Sequence, residues 1–171
     1  MKRVSMVLAL MLVLGAASAW AQDIPKVEVF GGGSILNVRE GGGELTTKGW
    51  TGQVNGNVNK VVGIVGDVGG YYKSGFKLHT FMGGAQFTHR LEKVSVFAQA
   101  KAGIAHTNDS SDNNNFALGF GGGLDWNVKP NVAIRWFQID WTPVKEAGSG
   151  GEWINNVFRG SIGVVWKSAA R

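Results

Sequence analysis

The sequence has no cysteine, and its 171 residues include only three prolines and three histidines. Without cysteine there is no disulfide, no thiol nucleophile and no thiolate metal site. The prolines, Pro25, Pro130 and Pro143, all fall outside the segments that alternate in polarity, so none interrupts a strand ladder. Beyond residue 25 no apolar run approaches the ~18 residues that would suggest a membrane-spanning helix. Charge of one sign is also scarce. The formal net charge is +5, and without Lys2 and Arg3 the balance is 15 basic to 12 acidic residues. That is too even and too dispersed for a nucleic-acid partner.

The longest apolar stretch lies at the N-terminus. Lys2 and Arg3 precede Val4 to Leu14, which only Ser5 interrupts, and Ala19-Trp20-Ala21 follows as an A-x-A cleavage pattern. The stretch falls short of the ~20 residues of a membrane helix, so residues 1–21 read as a signal peptide cut before Gln22. Residues 22–171 then form one domain.

Glycine is abundant, at 27 residues, many inside eight segments of alternating polarity. These segments read as strands over Lys26–Leu36, Lys48–Asn59, Val61–Tyr72, Leu78–Arg90, Lys93–His106, Asn115–Asn127, Asn131–Thr142 and Asn155–Lys167. Their connectors alternate between long (11, 5, 8 and 12 residues) and short (1, 2 and 3 residues). Tight turns on one side and loops on the other suit antiparallel strands that cross a bilayer. The expected fold is all-β: an eight-stranded antiparallel up-and-down transmembrane β-barrel. Segments of 11 to 14 residues, at ~3.3 Å per residue and tilted by ~40°, would cross the ~25 Å apolar band of such a barrel. The fold-level rival is a soluble ligand-binding barrel, which would turn its apolar face inward.

Alternation assigns the faces. Trp50, Gly52, Val54, Gly56 and Val58 share one face of the second strand; Thr51, Gln53, Asn55 and Asn57 share the other. In the membrane polarity the polar face lines the lumen. The seventh segment loses phase, because Val132, Ile134 and Trp136 suit lipid and so do Phe137, Ile139 and Trp141. A bulge at Trp136–Phe137 restores the parity. The expected lumen network then contains Glu28, Gln53, Asp67, Gln99, Lys101, Asp125, Arg135, Gln138, Asp140 and Arg159. Buried charges must pair, so this set reads as a structural plug. The aromatic residues fall in two girdles. Trp50, Tyr72, Phe116 and Trp141 belong near the outer interface; Phe87, Trp126 and Trp166 belong near the inner one.

The signal sequence, the eight strands and the last strand Phe158-Arg159-Gly160-Ser161-Ile162-Gly163-Val164-Val165-Trp166 resemble the small outer-membrane β-barrel family. This is the OmpA/OmpX-like group, also labelled porin-family or outer-membrane β-barrel domain proteins. The resemblance implies an outer-membrane location in a Gram-negative-type cell envelope. It also implies sorting by the barrel-assembly machinery through Arg159, Val164 and Trp166, although Ser161 stands where glycine is usual. No peptidoglycan-binding domain is expected after Arg171. The implied partners are outer-membrane lipids, the assembly machinery and an extracellular ligand at loops 37–47, 107–114 and 143–154, the last carrying Trp153.

Other chemistry has weaker footing. A lipid-modifying enzyme would need His79 or His106 beside Ser74, Ser110 or Ser111 and an acid such as Asp109 or Asp112. The loop His106–Asn115 lacks the central glycine and closing glutamate of an EF-hand. The glycine triplets at 31–33, 41–43 and 121–123 open no helix and carry no P-loop lysine. No catalytic residue, cofactor or metal is expected. A narrow small-ion channel remains the alternative to the plugged barrel.

Overall fold

The computed structural model describes residues 24–40, 43–73, 76–108, 112–145 and 153–169. The segment read as a signal peptide lies outside them. The strands are β1 (Val27–Glu40), β2 (Gly43–Asn57), β3 (Val62–Lys73), β4 (Phe76–Arg90), β5 (Val94–Asn108), β6 (Asp112–Lys129), β7 (Val132–Trp141), β8 (Val144–Lys145), β9 (Trp153–Ile154) and β10 (Val157–Lys167). Each of β1 to β6 pairs antiparallel with the next, β7 pairs with β10, and β10 returns to β1. Eight strands close the ring, so no edge remains along the wall.

The register fixes the tilt. From Gly31, paired residues run through Gly52, Val68, Phe81 and Ile104 to Phe116 on β6. In the other direction they run through Val164 and Ile134 to Trp126, also on β6. Phe116 and Trp126 are ten residues apart, and a stagger of ten over eight strands corresponds to a tilt of about 40°. At that tilt the ten residues rise about 25 Å, the height of the apolar band between aromatic girdles.

Polarity is inverted relative to a soluble barrel. Val29, Val54, Ile64, Val96, Ile104, Ile134, Ile139 and Val164 are exposed on the outer wall, while Gln53, Asp67, Lys101, Asp140 and Arg159 are buried inside. The wall is therefore a transmembrane one, not that of a soluble ligand-binding barrel. The bulge lies at Trp136: Leu124 faces Phe137 and Asp125 faces Arg135, so Trp136 has no partner on β6. Trp136 and Phe137 both point outward, which returns Arg135 and Gln138 to the lumen side.

The short turns follow local chemistry. Asn59 Oδ1 accepts from the backbone amides of Val61 and Val62 at 2.9 and 2.8 Å, which folds the β2–β3 turn around one side chain. The long connectors are shorter than the sequence reading had them. Residues expected in the loop 37–47 are largely strand, with Val38 opposite Leu45 and Arg39 opposite Glu44. Asn37 donates to Glu44 at 2.6 Å and to Thr46 at 3.0 Å, and such cross-strand pairs hold the ribbon beyond the lipid boundary. Within 107–114, Thr107 pairs with Asn113 and Asn108 with Asp112. Within 143–154, Pro143 interrupts the strand. The chain then continues as β8, which pairs with both β6 and β9.

Candidate functional site: a charge-compensated barrel lumen

The lumen is built in layers. At its centre Asp67 of β3 and Asp140 of β7 meet Lys101 of β5 and Arg159 of β10. Arg159 donates Nη1 and Nη2 to the two oxygens of Asp67 at 2.8 and 2.7 Å, and Nε and Nη2 to Asp140 Oδ2 at 3.0 and 2.7 Å. Lys101 Nζ lies 2.9 Å from Asp67 and 3.5 Å from Asp140. Two acids and two bases cancel, and all four side chains are almost fully out of solvent. Pairing is what makes such burial tolerable, since a lone charge here would carry a penalty of several kcal/mol.

Room for these groups comes from β6. A Cβ at Gly121 would collide with Asp140, and one at Gly123 would lie 2.8 Å from the Phe97 ring. The inward glycines of the 121–123 triplet thus leave room for side chains from the flanking strands β7 and β5.

A second layer lies toward the short turns. Arg135 is held end-on by Asp125, Nε to Oδ1 at 2.7 Å and Nη2 to Oδ2 at 3.0 Å. Its guanidinium sits between Phe30 and Phe97, 4.3 and 4.2 Å from the ring centres. Two glutamines join the layers. Gln53 accepts from Arg135 at 2.8 Å and donates to Asp67 at 2.6 Å. Gln138 accepts from Arg135 at 2.6 Å and donates to Asp140 at 2.7 Å. Each amide has a cation on its oxygen and an anion on its nitrogen, so its orientation is fixed. Gln99 donates to Asp140 at 2.7 Å.

Below this layer Glu28 pairs with Arg90 at 3.3 Å and lies 3.9 Å from Lys167. The sequence reading placed Glu28 in the lumen but missed Arg90 and Lys167. Both signals were present: Arg90 shares parity with Gln86 and Thr88, and Lys167 with Arg159 and Val165. Above the central quartet, Ser34 lies 3.2 Å from the Tyr71 hydroxyl and 2.9 Å from Ser161. Leu36, Tyr71, Leu78, Met82, Ala105, Ala117 and Val157 then form an apolar layer at the outer end, with Val38, Val144 and Ile154 packed against it. That layer was also missed, because its seven members are spread over six strands.

The aromatic residues lie on the lipid face. Trp50, Tyr72, Phe116 and Trp141 are exposed in the outer half; Phe87, Trp126 and Trp166 are exposed near the short turns. Trp50 Nε1 donates to the Tyr72 hydroxyl at 3.4 Å, and His79 Nε2 is 3.3 Å from the same hydroxyl. Trp141 Nε1 donates to the Asn155 carbonyl, and Trp153 packs edge-on against Phe116 at 6.3 Å.

His79 and His106 face each other across β4 and β5. His106 Nδ1 lies 2.8 Å from Asn114 Oδ1. Ser74, Asp109, Ser110 and Ser111, which an enzyme would require, lie outside the described residues. Among the described residues no three acids or histidines gather as a metal site.

Solved structures share this architecture. Neisserial surface protein A has a TM-score of 0.63 at 17% identity, covering 85% of this chain and 99% of that one. Ail, the attachment invasion locus protein of Yersinia pestis, solved in complex with the heparin analogue sucrose octasulfate, has a TM-score of 0.52 at 20% identity, covering 82% and 97%. A de novo designed transmembrane β-barrel has a TM-score of 0.50 at 16% identity, covering 86% and 99%. No protein-family model matches the chain, and no curated protein matches it. At these identities the likeness is one of fold. The chain has the architecture of the small eight-stranded outer-membrane barrels.

Proposed function

We propose that the chain is an outer-membrane β-barrel protein with a structural or surface-interaction role, its lumen plugged by its own side chains. One observation carries this reading. Arg159 and Lys101 bridge Asp67 and Asp140 across the lumen, leaving no uncompensated charge at its centre for a permeating ion to exchange with. The apolar layer from Leu36 to Val157 lies across the outer end of the same path and disfavours water there. Both features argue against the narrow-channel alternative.

The role is passive and non-enzymatic. The apolar band anchors the barrel among outer-membrane lipids, after export and insertion by the barrel-assembly machinery. The outer hairpins and loop tips within 37–47, 107–114 and 143–154 meet the extracellular ligand. The occurrence of this fold in a neisserial surface protein and in an attachment protein solved with a heparin analogue supports the surface role.

Cell fractionation combined with heat-dependent gel mobility tests the location. The expected result is recovery in the outer-membrane fraction, with a compact unheated form. Recovery as a soluble periplasmic protein would reject the reading. Planar-bilayer recording tests the plug, and a large steady conductance would remove it.

A further inference from the structure

The lumen is closed by an apolar layer at its outer end but not at its inner one. A cavity of about 430 Å³ opens among the short turns, lined by Arg90, Glu92, Ser95, Asn127, Lys129 and Lys167 among others. That volume falls within the ~300–1,000 Å³ range of small-ligand pockets. Its chemistry is one-sided. Among the described residues, Lys26, Lys60, Arg90, Lys93, Lys129 and Lys167 gather at this end. Their acidic counterparts are Glu28 and Glu92, because Asp125 is already saturated by Arg135.

Two donors at the cavity are unused. Ser95 is 2% exposed, and its hydroxyl has no hydrogen-bond partner. Arg90 donates Nη1 to the Lys60 carbonyl at 2.7 Å and Nη2 to Asn57 at 3.0 Å and to the Glu28 carboxylate at 3.3 Å, while its Nε has no partner. A buried donor without an acceptor is unfavourable by about 1–3 kcal/mol, and more when charged, so an arriving acceptor would relieve both. Lys167 Nζ, held at 2.7 Å by Asn127, adds a third donor beside them.

The geometry points to a binding vestibule for a phosphate-class oxyanion at the short-turn mouth. Lys129 and Lys167 supply the attraction. A rotamer step turns the Ser95 hydroxyl into the cavity, and Arg90 Nε offers a charge-assisted hydrogen bond. Deeper in the lumen, outside the cavity's lining, the Arg135–Asp125 pair is closed on itself, with Arg135 between Phe30 and Phe97. The site is independent of any ligand at the outer loops.

Amide NMR of the barrel in nanodiscs of zwitterionic lipid, titrated with inorganic phosphate at low ionic strength, tests this. The expected result is a saturable shift confined to residues near Ser95, Asn127, Lys129 and Lys167. Lys167→Gln should weaken binding about tenfold, the worth of one charged hydrogen bond. Ser95→Ala, which removes a hydroxyl that bonds to nothing, should weaken it about threefold while heat-dependent gel mobility is unchanged. Lys77→Gln, at the opposite end, should leave it intact. A second set of nanodiscs containing phosphatidylglycerol, without added phosphate, separates the sources: the same local shifts there identify a lipid headgroup as the occupant. Absence of a saturable shift in both preparations, or equal phosphate affinity in Lys167→Gln and Ser95→Ala, overturns the proposal.

Discussion

Arg159 and Asp67 lie 92 positions apart in sequence, yet the guanidinium of one meets both carboxylate oxygens of the other at 2.8 and 2.7 Å. The pair spans the lumen between β10 and β3, which are not neighbours in the wall. It therefore braces the barrel across its width, a task that strand pairing cannot perform.

Removing one partner should be worse than removing both. Arg159→Leu leaves Asp67 and Asp140 sharing only Lys101, a net negative charge in a dry interior. The expected loss is about 3–5 kcal/mol in urea unfolding from lipid vesicles. The double replacement of Arg159 and Asp67 by Leu leaves Asp140 paired with Lys101, so it should be more stable than Arg159→Leu alone. A double variant weaker than the single one would contradict the charge-balance account.

On the lipid face the sign of tolerance reverses. Val54 is 52% exposed near the midplane. Val54→Arg should lower stability by about 2–4 kcal/mol in a bilayer, whereas Val54→Leu should be nearly silent. Equal tolerance of both changes in vesicle unfolding would mean that residue 54 faces water.

Arg135 should not accept its usual conservative substitute. Lys cannot span both oxygens of Asp125 while lying flat between two rings. Arg135→Lys should therefore destabilise clearly more than Phe97→Leu, which forfeits one cation–π contact of about 2 kcal/mol or less. Parallel chemical denaturation of the two variants reads this directly.

Trp136 gives a depth test. The bulge sends its ring outward at the middle of β7, where it is 63% exposed, whereas Trp126 and Trp166 sit by the short turns. In single-tryptophan variants, lipids brominated deep in their acyl chains should quench Trp136 most. Lipids brominated near the headgroup should quench Trp126 and Trp166 most. The opposite order would misplace the girdle.

The sequence carried the wall more fully than the interior. Val54 and Gln53 declare their faces through neighbours two positions away, and each face has its own solvent, so parity alone is informative. The bulge was legible because Trp136 and Phe137 break that parity visibly. What each lumen side chain touches was not legible. Gln53 bridges Arg135 and Asp67, and Gln138 bridges Arg135 and Asp140, but those contacts depend on the ten-residue stagger of the closed ring. Neither neighbour spacing nor composition records that stagger. The apolar outer layer was hidden for a related reason. Leu36, Leu78 and Val157 each look like a fault in a polar face until closure brings them together. The long connectors were overestimated because polar residues such as Asn37 and Thr46 suggest turns, whereas across a ribbon they bond to one another.

The ribbon from Val38–Leu45 to Arg39–Glu44 bears on immune recognition. A free peptide copied from residues 37–47 would sample many shapes, while on the barrel residues 37–40 are already set in register against residues 43–46. Antibodies raised against the peptide would pay an ordering penalty on the native surface that antibodies raised against the whole barrel avoid. Useful epitopes here are accordingly discontinuous, read across adjacent strands rather than along one.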